Sequence, residues 1–353
     1  MTRVPLRSDL RALSGYHSPQ VDVPVRLNTN EAPFAPPAEW LDEVASAACS
    51  IAWNRYPDRA ARELREGIAA LHGVSPEQVF VANGSNEVLQ SILLAYSGAG
   101  RNVVMFGPTY QMHAQIARVV GATVVEGKRN ADFTLDAAEI ERVVRSTDPA
   151  VSFICSPNNP TGIVEPRENI ETMLRAAPGV VVVDEAYAQF APWSALELVN
   201  DETPLVVTRT FSKTWSMAAA RLGYLVGPRW LVDDMEAVAL PYHLDALKQR
   251  AGLLALKYVV DMEARVRDIV DGRDRIVAAL ATLPVTTWPS GANFILFRPD
   301  NVAGRDVWQR LLDRGVLVRD CSSWAGLTDC LRVTVGTDDE NEAFIAALKE
   351  ALR

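Results

Sequence analysis

Val180-Val181-Val182-Val183-Asp184-Glu185-Ala186-Tyr187 runs four β-branched residues straight into two carboxylates and an aromatic ring. A strand without polar alternation is buried on both faces, the habit of parallel sheets covered by helices. Six further runs share its composition: Val79-Phe80-Val81-Ala82, 102–106, 123–125, 151–155, 205–208 and 223–226. Helical stretches separate them. The pattern predicts an α/β fold around one large, mostly parallel sheet of seven strands.

On the N-terminal side, helices are expected over 37–50 and 59–72. Residues 1–36, rich in Pro, Asn and Ser, read as an extended arm packing on a smaller domain or a dimer partner. On the C-terminal side, a helical stretch follows Pro241 to about residue 283, with Gly252 and Gly272 as its weak points. Strand signals at 293–297, 316–319 and 331–335, with helices at 304–314 and from Asp338, predict a smaller α+β domain. The expected division is arm 1–36, large domain 37–235 and small domain 236–353.

The 353 residues exceed one ordinary core, and 48% apolar with 22% charged residues excludes a disordered, collagenous or coiled-coil chain. A net charge of −9 without any basic run argues against nucleic acid as a partner. No apolar run approaches the ~20 residues of a membrane span. Arg3 and Arg7 are not followed by an apolar core, so no secretory leader and a cytoplasmic location are expected. Cys49, Cys155, Cys321 and Cys330 form no C-x-x-C and read as buried free thiols. His17, His72, His113 and His243 are scattered, and no metal site is expected.

Ligands of open α/β sheets bind at the carboxyl ends of the strands, so the residues following each run matter most. After Ala82 comes Asn83-Gly84-Ser85-Asn86-Glu87, a small-residue turn opening a helix. It is a phosphate cup, or a plain cap by Ser85 or Asn86. After Cys155 comes Ser156-Pro157-Asn158-Asn159-Pro160-Thr161-Gly162, a tight, rigid loop. Asp184, ending the valine strand, needs a cation or donors, unless it caps a turn; Tyr187 also reads as core. After Thr208 comes Arg209-Thr210-Phe211-Ser212-Lys213-Thr214, with Arg221 further on. Thr210, Ser212 and Arg221 suit a phosphate, while Lys213 is either reactive or merely solvated.

A phosphate cup, an asparagine, an aspartate with a tyrosine, and a lysine with an arginine together match what pyridoxal 5'-phosphate (PLP) requires. Its aldehyde takes a lysine amine, its pyridine nitrogen a carboxylate, its phenolic oxygen donors, and its phosphate N–H groups and a cation.

Over nearly its whole length the chain resembles the fold-type-I PLP-dependent aminotransferases, and within them most the histidinol-phosphate aminotransferases. The segments that carry the resemblance include Leu27-Asn28-Thr29-Asn30-Glu31-Ala32-Pro33, Arg55-Tyr56-Pro57-Asp58, the four strand-end motifs, Leu240-Pro241-Tyr242-His243-Leu244 and Leu331-Arg332-Val333-Thr334-Val335-Gly336-Thr337. The resemblance implies that Lys213 bonds covalently to the cofactor and then serves as base, and that Asp184 pairs with the ring nitrogen. It implies that Asn159 and Tyr187 bond the phenolic oxygen, that Tyr110 stacks on the ring, and that Gly84, Ser85, Thr210, Ser212 and Arg221 take the phosphate. Asn86 stands beside them where an aspartate is common, and Ala32 where the arm commonly has asparagine.

Tyr56 is implied to reach the phosphate in the neighbouring subunit, hence a homodimer with shared sites. The implied reaction is ping-pong transamination of L-histidinol phosphate with 2-oxoglutarate, in histidine biosynthesis. Arg332 and Arg319 are then the candidates for the substrate's anionic group, with Arg319 alternatively a surface strand residue. Asn159, Tyr16, Tyr242 and His243 are candidates for the rest of the substrate, with His243 alternatively a helix-start residue. Related readings are an aromatic amino-acid aminotransferase and a threonine-phosphate decarboxylase, which cleaves a different bond at the same carbon. A PLP-binding regulator is disfavoured because the chain begins directly with the arm.

Overall fold

A short strand, β1 (Val25–Leu27), lies in the arm, and the seven apolar runs follow as strands of one sheet. They are β2 (Val79–Ala82), β3 (Asn102–Gly107), β4 (Thr123–Lys128), β5 (Val151–Cys155), β6 (Val180–Asp184), β7 (Leu205–Thr210) and β8 (Gly223–Val226). The computed structural model describes residues 4–11, 13, 15 and 20–353. The sheet order is β2-β8-β7-β6-β5-β3-β4. Pairings from β4 through β7 are parallel, and β8 is antiparallel to both its neighbours. β5, β6 and β7, interior strands of the sheet, are buried along their whole length, whereas edge strand β4 is largely exposed or half-buried.

The single antiparallel strand matters for the site. Because β8 runs against β2 and β7, those two point the same way as β3, β5 and β6. The turn after β2, the loop after β5, the end of β6 and the whole 211–222 connection therefore gather at one edge.

A second sheet contains β9 (Val285–Thr287), β10 (Phe294–Pro299), β11 (Val316–Asp320) and β12 (Leu331–Thr334), in the order β1-β11-β12-β10-β9. The arm is thus not simply extended: β1 pairs in parallel with β11, Val25 opposite Val316. Strands β1 and β9 are three residues each, too short for periodicity to reveal.

Past the expected division at residue 236, the chain packs with both cores. Helix Ala246–Ala255 passes through a 3-10 turn, Leu256–Tyr258, into helix Val259–Leu280. Leu244, Ala251, Ala255 and Met262 share a core with Trp40, Leu64 and Phe211, whereas Ile269, Ile276 and Leu280 pack with Phe294 and Phe344 under the second sheet. One nearly continuous helical run crosses between the two cores after residue 262, with no loop to mark the crossing. Gly252 and Gly272 do not break it. A Cβ on Gly252 would lie 2.4 Å from Leu222, and one on Gly272 3.0 Å from Val335, so both are close contacts rather than weak points.

The cysteine expectation also needs one correction. Cys155, Cys321 and Cys330 are buried free thiols, but Cys49, on the outer face of helix Ala38–Ser50, is exposed. Among the described residues no helix is long and apolar enough to cross a membrane.

Candidate active site

One cavity at the carboxyl edge of the large sheet is lined by Ser85, Asn86, Tyr110, Asn159, Asp184, Tyr187, Thr210, Ser212, Lys213, Arg221, Arg319 and Arg332. Its walls come from both sheets and from the arm, which supplies Thr29 and Asn30.

The phosphate-cup residues sit at the end of β2. Gly84 is the N-cap of helix Ser85–Tyr96, at φ 83°, a left-handed value that favours glycine. Neither Ser85 nor Asn86 is the N-cap residue; both lie within the first turn. A Cβ on Gly84 would come within 2.9 Å of the Arg221 guanidinium, and one on Gly223 within 2.3 Å of the Ser85 nitrogen. Two missing side chains therefore let an arginine and a strand close on the helix start, whose first-turn N–H groups and dipole favour an anion. Arg221 Nη1 donates to Ser212 Oγ at 3.2 Å, and the Ser212 amide donates to Thr210 Oγ1 at 3.0 Å. The cradle fits a phosphate.

Across the cavity, Asp184 ends β6 in a fully buried setting. Its Oδ1 accepts the Ala186 amide at 3.2 Å, so the local turn role exists too. Its Oδ2 lies 2.9 Å from His113 Nε2. A carboxylate only accepts, so Nε2 carries the hydrogen. His113 is stacked on Phe153, ring centroids 4.6 Å apart, and its Nδ1 is buried without a partner among the described residues. Next to Asp184, Glu185 pairs with Arg209 at 2.8 Å and ties the ends of β6 and β7 together.

Lys213 is partly buried, and its Nζ donates to the Thr29 carbonyl at 3.0 Å. Desolvation, reinforced by the positive charges of Arg332 and Arg221, lowers its pKa to about 7. Lys213 lines the cavity rather than the outer surface. The Tyr187 hydroxyl accepts from Asn30 Nδ2 at 2.9 Å, and burial holds its phenol above the ordinary value. Tyr110 donates from its hydroxyl to Asn86 Oδ1 at 3.1 Å.

Arg332 and Arg319 are Cα partners across the β11–β12 pair and are both buried, so Arg319 is not a surface residue. Arg332 donates to Asn159 Oδ1 at 2.5 Å and to the Asn28 carbonyl at 2.9 Å, and its Nε has no partner among the described residues.

Tyr56, Tyr242 and His243 do not line this cavity. Tyr56 is 79% exposed and stacks on Tyr242 at 4.5 Å, on the surface rather than in the cavity of its own chain. His243 uses Nε2 on the Val81 carbonyl at 2.9 Å and lies against Phe80, two residues before Asp245, the N-cap of helix Ala246–Ala255. Tyr16 lies outside the described residues. Conversely, His113, Thr29, Asn30 and Trp324 were not singled out. His113 stands three places after Tyr110 at a helix start, a spacing that puts both on one face.

The family model described as Aminotransferase class I and II matches residues 22–348. The chain belongs to the class I and II aminotransferase family. The aminotransferase is 45% identical to the histidinol-phosphate aminotransferase of Frankia casuarinae, covering 99% of this chain and 90% of that protein. It is 43% identical to the one from Thermobifida fusca, over 99% and 95%. Among solved structures, histidinol-phosphate aminotransferase from Sinorhizobium meliloti in complex with pyridoxal-5'-phosphate shares the fold, with TM-score 0.90 and 24% identity over 99% of this chain and 97% of that one.

Proposed function

We propose that this aminotransferase moves the amino group of L-histidinol phosphate to 2-oxoglutarate, giving imidazole acetol phosphate and glutamate, with PLP as cofactor. The observation that carries this reading is the pair of buried arginines, Arg319 and Arg332, in one cavity with a lysine of lowered pKa. Relatives at 45% and 43% identity carry that name.

PLP, when bound, supplies an aldehyde carbon that takes up the amino group and a ring that draws electrons from the donor's carbon. Arg221, Ser212, Thr210 and the Gly84–Ser85 turn, with Asn86 alongside, would hold its phosphate. Asp184 would hold its ring N–H, with His113 fixing the carboxylate from behind. Tyr187 and Asn159 would bond its phenolic oxygen, and Tyr110 would cover its ring. With a pKa near about 7, the Lys213 amine is partly unprotonated at neutral pH and can accept the proton on the donor's amine-bearing carbon.

Histidinol phosphate has no carboxylate, and glutamate has two. A planar guanidinium accepts phosphate or carboxylate oxygens in the same fork, so Arg332, with Arg319 beside it, serves both half-reactions. The exposed Tyr56–Tyr242 stack supports a homodimer in which Tyr56 of one protomer completes the cavity of its partner. Three buried free thiols accord with a cytoplasmic enzyme.

Purified holoenzyme offered histidinol phosphate, phenylalanine and threonine phosphate as separate donors, with 2-oxoglutarate, tests the reading. Highest kcat/KM for histidinol phosphate is expected. A preference for phenylalanine, or carbon dioxide release from threonine phosphate, overturns it.

A further inference from the structure

The connection between β11 and β12 is the one wall of the cavity that no motif explains. Cys321, Leu327 and Cys330 anchor it in a small apolar cluster with Phe133 and Leu296. Successive turns stiffen it: Trp324 N–H donates to the Cys321 carbonyl at 2.9 Å, Leu327 N–H to the Trp324 carbonyl at 3.0 Å, and Cys330 N–H to the Leu327 carbonyl at 2.9 Å. A tryptophan that served this cluster alone would be buried in it. Trp324 packs against the cluster yet remains half-exposed, lining both the active-site cavity and an adjoining outer cavity that also contains Arg118, Glu126 and Ser323. Tyr110 and Gln111 line both cavities as well. The indole therefore stands as a partition between them. On its cavity side lies Arg319, whose guanidinium carbon is 5.7 Å from the ring centroid.

We propose that Trp324 is a specificity-determining residue, which orients the Arg319 guanidinium through its ring face and screens the anion-binding end of the cavity from the outer one. This deepens the substrate reading above and rests on it. A ring face attracts a cation and limits its orientations, and a screened guanidinium binds an anion more strongly than a hydrated one. Trp324 touches no reacting atom; it acts through Arg319 and through closure, so its effect falls on recognition of the phosphorylated donor.

The test uses holoenzyme in three forms, wild type, Trp324→Phe and Trp324→Ala, assayed with histidinol phosphate and with phenylalanine, and with inorganic phosphate as a competing anion. In Trp324→Ala, KM for histidinol phosphate and the inhibition constant of phosphate should each rise ~3- to 30-fold, the range a cation–π contact supplies. Its kcat and cofactor content should stay near wild type, and the preference for histidinol phosphate over phenylalanine should shrink. Trp324→Phe, which keeps an aromatic face, should recover most of the phosphate affinity. Equal phosphate inhibition of wild type and Trp324→Ala overturns the proposal alone. A wild-type enzyme that neither uses histidinol phosphate nor is inhibited by phosphate overturns the substrate reading, and this proposal with it. Loss of cofactor or of melting temperature in both variants, without any change in donor preference, assigns Trp324 to packing and also overturns it.

Discussion

Arg319 and Arg332 stand directly opposite each other on antiparallel strands, and both project into the active-site cavity. Directly opposed residues share a face of the sheet, so two like charges are held together away from bulk water. An anion bound between them would be attracted by both guanidiniums.

Replacing Arg332 should therefore damage both half-reactions. Loss of a charge-assisted contact is worth roughly 1.5–3 kcal/mol, or about 10- to 150-fold in affinity. Arg332→Ala should weaken binding of histidinol phosphate and of glutamate by that order in single-turnover titrations. Arg332→Lys should restore only part, because an ammonium lacks the fork. The cofactor should stay bound, since Arg221 and the Gly84–Ser85 turn are separate from it. Unchanged affinity for both donors removes Arg332 from the substrate site.

Lys213→Ala should abolish the visible absorption of the covalently held cofactor, which in the wild type disappears on borohydride treatment. Loss of the base should lower kcat by at least ~10²–10⁴. A variant that transaminates at the wild-type rate is incompatible with the assigned role.

The lowered pKa of Lys213 carries a pH signature in the cofactor-free protein. The folded-state value is about 7 and the ordinary value 10.5, so between them the unfolded chain holds the extra proton. Stability from this group is complete above the ordinary value and is lost as pH falls through about 7. The melting temperature of the wild type relative to Lys213→Met should thus climb from about pH 7 to about pH 10. A flat difference across that window contradicts the assignment.

Gly223→Ala should strike the cofactor more than the fold. The new Cβ would stand 2.3 Å from the Ser85 nitrogen, against backbone that cannot swing aside. Overpacking of this kind costs about 1–3 kcal/mol. The expected result is a lower melting temperature together with weakened PLP binding in a fluorescence titration. Wild-type PLP affinity would show that the close approach of β8 to the helix start is irrelevant to the cup.

Assembly has its own test. Neither Lys213→Ala nor Tyr56→Ala protein should be fully active alone, but mixing and reannealing the two should regenerate activity through mixed dimers. A fully active monomer in analytical ultracentrifugation is inconsistent with the shared-site reading.

Much of this site could be read before any coordinates. The valines of β6 announce burial on both faces, and a carboxylate placed at their end has to meet a partner. The Gly84 turn, Lys213 and Arg221 are legible because phosphate and amine chemistry use few residue types. What escaped detection depends on contacts between distant residues. Strand β1 exists only because Val25 meets Val316, and neither neighbourhood betrays the pairing. The helical passage between cores carries no turn residues at the crossing. His113 looked like one of four scattered histidines, since its stacking on Phe153 and its bond to Asp184 join three separate elements.

The arm's pairing with β11 makes it part of a latch. Asn28 takes a hydrogen bond from Arg332, Thr29 one from Lys213, and Asn30 gives one to Tyr187, so three consecutive residues grip both halves of the cavity. If the second sheet swung away with its edge strand, the bonds to Lys213 and Tyr187 would have to part in the same movement. In the cofactor-free protein, admitting a ligand and releasing these arm contacts would then be a single event rather than two. The Asn30 amide, which donates to Thr334 Oγ1 at 3.0 Å, offers a reporter. Its hydrogen exchange should quicken in Lys213→Met protein, and an unchanged rate would uncouple the latch from the lysine.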